Sequence, residues 1–365
     1  MRKAKLIKYT ILIVCEGANT EPNYFQGIKE DITNQRLFHE EGLSININIR
    51  PKPPLSEEEE EQTSRHKTPR KKRQLKNVPI EPEVVIEEQH RAVPTRYVRE
   101  AQLGLEDGTY DEAWAVFDQD RHPRHQEAFA LAQTEIEGKY AKIAFSSISF
   151  EHWVLLHFER NDTAFQRSEC KDPNREVIGC GTGLNPLDCY GNSCVSGYLK
   201  INHYLPGYGK QVQFDTYSHV KDKTHIALAN ASWLRRNTFP DPVYLRNPYT
   251  DMDLLVKRLL NISTNYHWAD PGDVIEIGEY RLCLSPNPDG SYSLDITNQK
   301  DISQILNLTV QILNQNQIIT ETPFRVGVLE PNQHENLVIP VKNPGNQPFD
   351  LIGLAMNQNI VYVPV

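Results

Sequence analysis

Residues 6–15, LIKYTILIVC, alternate little and are rich in Ile, Leu and Val. A run that is apolar on both faces predicts a strand covered on both sides, as in a parallel sheet. GANTEP follows, and NYFQGIKE then predicts a short helix with Thr20 as its cap and Pro22 in its first turn. SININI (44–49) alternates and predicts a second strand. PTRYVREAQLGL (94–105) fits a helix with Pro94 near its start, and AWAVFDQD (113–120) a third strand ending in acids. Residues 121–140 predict a helix, KIAFSSI a short strand, and SFEHWVLLHFE (149–159) a helix with one apolar face. Strands alternating with helices predict an α/β fold, whose ligands sit beyond the carboxyl ends of the strands.

From about Tyr266 the period changes to two. VIEIGEYRLCLS, GSYSLDIT, LNLTVQILN, FRVGVL, NLVIPVKN and FDLIGLAM alternate apolar and polar residues, with PDG and NPGN between runs. This predicts an all-β module over 266–365, most like an immunoglobulin-type sandwich. Its acids, such as Asp289, Asp295 and Asp301, fall in turns or singly along strands, with no paired histidine or cysteine. The expected role is recognition or assembly, with Cys283 a packed strand residue. Residues 1–265 form the α/β part, interrupted at about 51–92 by an acidic block (Glu57 to Glu61) and a basic block (Arg65 to Lys76). Few residues there suit a core, which predicts a disordered insertion.

The 365 residues are 39% hydrophobic and 24% charged, enough for a sizeable core. A net charge of -9 argues against a protein that coats nucleic acid, but leaves room for a local basic groove. The basic N-terminus and its apolar run are too short and charge-interrupted for a signal peptide, and no run is long enough to span a bilayer. A cytoplasmic protein without a membrane partner is expected.

Cys170, Cys180, Cys189 and Cys194, with His203 beyond, lie in a second insertion at about 165–200. No pair has C-x-x-C spacing, which argues against structural zinc and for reduced thiols. YLKINHYLPGYGKQ (198–211) carries Lys200, Lys210 and three tyrosines, and KDKTH and WLRRN add further bases. Bases interleaved with aromatics suit single-stranded nucleic acid, and an ordinary amphipathic surface reads the same way.

The chemistry concentrates at two strand ends: Glu16 in CEG, and Asp118 and Asp120 in VFDQD. In an extended D-x-D both carboxylates point to one side. Together with Glu16 they suit Mg2+, or Mn2+ in its place, with a further carboxylate as general base. Solvated strand-end acids are the rival explanation. Arg121 follows as a phosphate contact and His122 as a proton carrier, with a plain solvated loop the equal alternative for each; Thr20 and Asn23 sit where a helix start would meet phosphate, or simply cap the helix.

ILIVCEGANTEPNYFQGIKE, DEAWAVFDQDRHP, SFEHWVLLHFE and NPYTDMDLLVKRLL resemble the RloB-like branch of the Toprim family, found in bacterial anti-phage defence. The resemblance covers scattered blocks over about residues 5–260. It implies a Toprim-like (Rossmann-like) parallel sheet with a helical flank, and a metal-dependent acidic set of Glu16, Asp118 and Asp120. It also points to Glu151. Members of this branch typically carry an Asn-Pro-Cys-like turn before that helix, where this chain has Ser147, Ile148 and Ser149. The function implied is magnesium-dependent cleavage of DNA or RNA, with an ATPase partner or self-association through the C-terminal module as open arrangements. A nucleotide phosphohydrolase of the same fold and a non-catalytic sensor or adaptor are the alternatives.

Overall fold

The apolar run near the N-terminus becomes β1 (Ile7–Cys15), second in a sheet of order β2-β1-β3-β4-β5. The structure, a computed structural model, describes residues 7–35, 43–51, 86, 93–119, 124–169, 194–209, 214–237, 241–263, 266–277, 280–300, 303–314, 317–339, 351–356 and 359–364. β1 pairs in parallel with β2 (Leu43–Arg50) and β3 (Glu112–Asp118), and β3 in parallel with β4 (Lys142–Ser147). The two-residue β5 (Tyr249–Thr250) closes the edge antiparallel to β4.

Lack of alternation in β1 has the expected cause. Ile11, Ile13 and Cys15 face one core, with Tyr24, Phe25 and Ile28 of α1 (Thr20–Gln35) and Leu255 of α8 (Met252–Ser263). Leu12 and Val14 face the other, with Val98 and Leu105 of α2 (Thr95–Glu106) and Ala128 of α3 (His125–Ala132). Burial on both faces removes apolar area from water twice per strand, at about 25 cal/mol per Å².

Three helical expectations are corrected. Thr20 is the first residue of α1 rather than its cap, and α1 continues to Gln35. α3 ends at Ala132, because Ile136 and Lys139 exchange backbone hydrogen bonds of 2.7 and 2.8 Å across a turn in which Gly138 has φ +76°; a helix has no place for that left-handed turn. α4 (Phe150–Leu156) is buried at all seven positions, not on one face. It lies against β4 and among α5 (Val195–Ile201) and α7 (Thr224–Asn237), with the short α6 (Thr216–Val220) just before α7.

Among the described residues nine strands follow: β6 (Tyr266–Trp268), β7 (Val274–Ile277), β8 (Tyr280–Pro286), β9 (Tyr292–Asn298), β10 (Gln304–Asn314), β11 (Gln317–Leu329), β12 (His334–Ile339), β13 (Leu351–Met356) and β14 (Asn359–Pro364). They form two sheets, β11-β10-β13-β14-β6 and β12-β9-β8-β7, antiparallel except for the β14–β6 pair. Leu282, Leu284, Leu294, Ile296, Leu308 and Val361 share one core. Cys283 lies on the opposite side of β8 from Leu282 and Leu284 and is only partly buried, so it is not a core thiol. Asp295 does have a histidine partner, His334 Nε2 at 3.5 Å on the neighbouring strand, contrary to expectation.

Within 51–92 the described residues are Pro51 and Ile86, and Ile86 is buried rather than excluded from the core. The charged blocks lie outside the described residues, as do Cys170, Cys180 and Cys189; Cys194 is buried. No helix among the described residues is long and apolar enough to cross a membrane.

Candidate acidic site at the carboxyl edge of the sheet

β1 and β3 run in register to Cys15 and Val116. One residue further the ladder continues, with the Glu16 amide donating to Val116 O at 2.9 Å. The Glu16 side chain then turns across the sheet edge, and its Oε2 accepts the Asp118 amide at 3.0 Å. The carboxylate at the end of a buried strand is thus fixed against the end of the next one. Asp118 is buried; its carbonyl accepts from His125 Nε2 at 2.9 Å, which sets the ring tautomer. Gln119 continues the edge: its amide donates to Ser146 O at 2.9 Å, and its side-chain oxygen accepts from Ser147 Oγ at 2.6 Å.

A further carboxylate joins this edge. Glu21, in the first turn of α1, is buried and lies over Gly17; a Cβ at Gly17 would collide with its carboxylate. The glycine of C-E-G therefore serves close approach. Burial, with Glu21 adding, pushes the Cys15 thiol well up. Burial and then Glu16 push the Tyr97 phenol to about 12.

Glu151 lies in the same corner. It is fully buried in the first turn of α4, and its Oε1 accepts from the Tyr208 hydroxyl at 2.9 Å. Burial holds the Tyr208 phenol far above its ordinary value, and the charges of Glu151, Glu21 and Asp118 push it further. One hydroxyl therefore senses carboxylates from α4, α1 and β3.

Of the residues singled out in the sequence, Glu16 and Asp118 are in direct contact, and Glu151 reaches Asp118's surroundings through Tyr208. Thr20 and Asn23 stand half-buried in the first turn of α1 beside Glu21, the Asn23 amide bonded to Asn19 O at 3.0 Å. Lys200 is exposed in the last turn of α5. Asp120, Arg121, His122 and Lys210 lie outside the described residues. Of the three tyrosines in that stretch, Tyr198 and Tyr204 are half-buried and donate to Glu159, and Tyr208 is buried and donates to Glu151. Arg235 of WLRRN is likewise committed, to Asp253 and Asp270. Glu21 and Tyr208 were not anticipated. An acid five residues after Glu16, at a helix start, was available as a signal for Glu21; nothing in the sequence marked Tyr208.

The donors at this edge are carboxylate oxygens, the type a hard divalent cation takes. Among the described residues, no group of three or more His, Cys, Asp or Glu is arranged to hold a metal ion. A magnesium site here would thus use one or two of these carboxylates completed by water and phosphate oxygens, as that ion commonly does.

The fold so far defines a mixed α/β domain with a parallel sheet and helices, followed by all-β sheets. The sequence model of the family described as "RloB-like protein" matches residues 11–259, and the chain belongs to that family. No curated protein matches it. A solved structure, Pseudomonas fluorescens alkylpurine DNA glycosylase AlkC bound to DNA containing an abasic site analog, aligns at 9% identity over 58% of this chain. This chain spans 62% of that protein's length, less than two thirds, and the TM-score of 0.15 carries no argument about fold or function.

Proposed function

We propose that the chain is a magnesium-dependent nuclease with a Toprim-like catalytic domain, acting on nucleic acid in bacterial anti-phage defence, and that its β module is an immunoglobulin-like sandwich for recognition or assembly. One observation carries the catalytic reading: Glu16 Oε2 is locked onto the Asp118 amide at the carboxyl edge of a parallel sheet, with Glu21 and Glu151 close by. Like charges gathered at one buried edge repel, and a cation relieves that repulsion.

Glu16 and Asp118 would hold the ion, with Asp120 as the resemblance implies. Magnesium, when bound, polarises the phosphate and stabilises the leaving oxygen. Glu16 is aimed by the Asp118 amide, so its carboxylate is oriented before any ligand arrives. Glu21 accepts a proton from the attacking water on a carboxylate oxygen. Glu151, in the fully buried layer behind, backs the edge and is held there by the Tyr208 hydroxyl.

The test is cleavage of DNA, RNA and nucleoside triphosphates by the purified chain in Mg2+ or Mn2+, with and without EDTA. The wild type should cleave polymer, EDTA should abolish cleavage, and Asp118→Asn should lower kcat on the order of a hundredfold. Both backbone bonds at position 118 survive that substitution, so its Tm should stay near that of the wild type. Hydrolysis of triphosphates alone would favour the phosphohydrolase. Absence of any turnover would overturn the enzyme reading in favour of an adaptor.

A further inference from the structure

We infer that Tyr208 is a positioning residue for the acidic site: its hydroxyl, 2.9 Å from Glu151 Oε1, fixes that carboxylate at the sheet edge. The inference rests on the nuclease reading and names a residue beyond the carboxylates.

Tyr208 ends a segment that runs along α4. Tyr198 of α5 donates to Glu159 Oε1 at 2.9 Å and Tyr204 to Glu159 Oε2 at 2.5 Å, just past the end of α4. The Tyr204 ring stacks on Phe158, with centroids 4.9 Å apart. Leu199 and Leu205 enter the core beside the sheet. The strap is therefore anchored by two hydroxyls and two leucines before it reaches Tyr208. At the other end of α4, Tyr208 meets Glu151, and its ring packs edge-on against Phe214 at 5.4 Å.

Packing of the strap does not need the Tyr208 hydroxyl; phenylalanine would fill nearly the same space. The hydroxyl matters to Glu151. A hydrogen bond donated to one oxygen fixes the plane of the carboxylate. The same hydroxyl senses Glu21 and Asp118, so the orientation it imposes on Glu151 is an orientation within the acidic corner. A site held loosely by even a small displacement loses rate rather than substrate affinity.

Tyr208→Phe, Tyr198→Phe, Glu151→Gln and the Tyr208→Phe/Glu151→Gln double variant separate the roles, read as kcat and KM for polymer cleavage in Mg2+. Tyr208→Phe should lower kcat about tenfold with KM within about twofold of wild type. Tyr198→Phe, which loses a hydroxyl from the same strap but not from Glu151, should leave kcat unchanged. The double variant should be no slower than Glu151→Gln alone, because the hydroxyl acts through that carboxylate. Wild-type kcat in Tyr208→Phe, an equal loss in Tyr198→Phe, or additive losses in the double variant would each overturn the inference. Should Tyr208→Phe not fold, 4-methylphenylalanine at 208 fills the space of the hydroxyl without donating to Glu151, and unchanged kcat there would overturn the inference equally. An inactive wild type would instead overturn the nuclease reading, so the two failures are distinct.

Discussion

Gly17 and Glu21 compete for the same space, and that competition makes the C-E-G turn part of the site. Any Cβ at position 17 meets the Glu21 carboxylate, a flexible group that must then swing away. Gly17→Ala should therefore fold and lower kcat for Mg2+-dependent cleavage at least severalfold; wild-type kcat would show that Glu21 is not part of the site. Glu16 and Asp118 were legible in the sequence because an acid that ends a buried apolar run has few other places to be. Glu21 was hidden because TEP reads equally well as the start of a helix. Tyr208 was hidden because its contact spans 57 positions and depends on how α4 lies in the fold.

Among elements, the junction between α8 and β6 holds a buried ion network. Asp253 is fully buried and faces Arg235 and Lys257, and both cations also reach Asp270, at 2.9 and 2.8 Å. Burial disfavours the Arg235 charge, yet Asp253 and Asp270 outweigh it and raise its pKa, while Lys257 and Arg235 hold Asp270 below the usual carboxylate range against the same burial. The Asn261 side chain pairs with both backbone groups of Trp268, at 2.7 and 3.0 Å. Removing one member of a buried ion network leaves the others uncompensated, so Asp253→Ala should cost about 3 kcal/mol in urea unfolding; a change below about 0.5 kcal/mol would mean the network is solvent-relaxed. WLRRN looked like a surface for nucleic acid because the partner of Arg235 lies 35 residues on, beyond the reach of a helical pattern. β1 and β3 were the most legible elements, since a run buried on both faces leaves an unbroken apolar stretch in the sequence. α3 was overextended in prediction because EIEGKY carries helix formers that a left-handed turn overrides.

Across the whole molecule, charge burial links stability to pH. Burial lowers His152 to about 4, His157 to about 3 and His225 to about 4, so all three are neutral in the folded protein. Their folded values lie below the ordinary 6.5. The stability they permit is present above that value and is lost as pH falls from there toward 4. Asp251 acts oppositely: burial raises it to about 7, so its carboxyl favours the fold increasingly as pH falls from 7 toward its ordinary 3.8. Three groups outweigh one, and the free energy of urea unfolding should fall between pH 6.5 and 4.5 by roughly 2 kcal/mol per pH unit. A flat profile would show that the histidines are hydrated. The central claim, however, concerns the sheet edge where β1, β3, α1 and α4 bring their acids together. Electron paramagnetic resonance of Mn2+ titrated into the wild type and into Asp118→Asn tests it most directly. Saturable binding in the wild type that Asp118→Asn loses is the predicted result; no binding in the wild type, or equal binding in both, would contradict it.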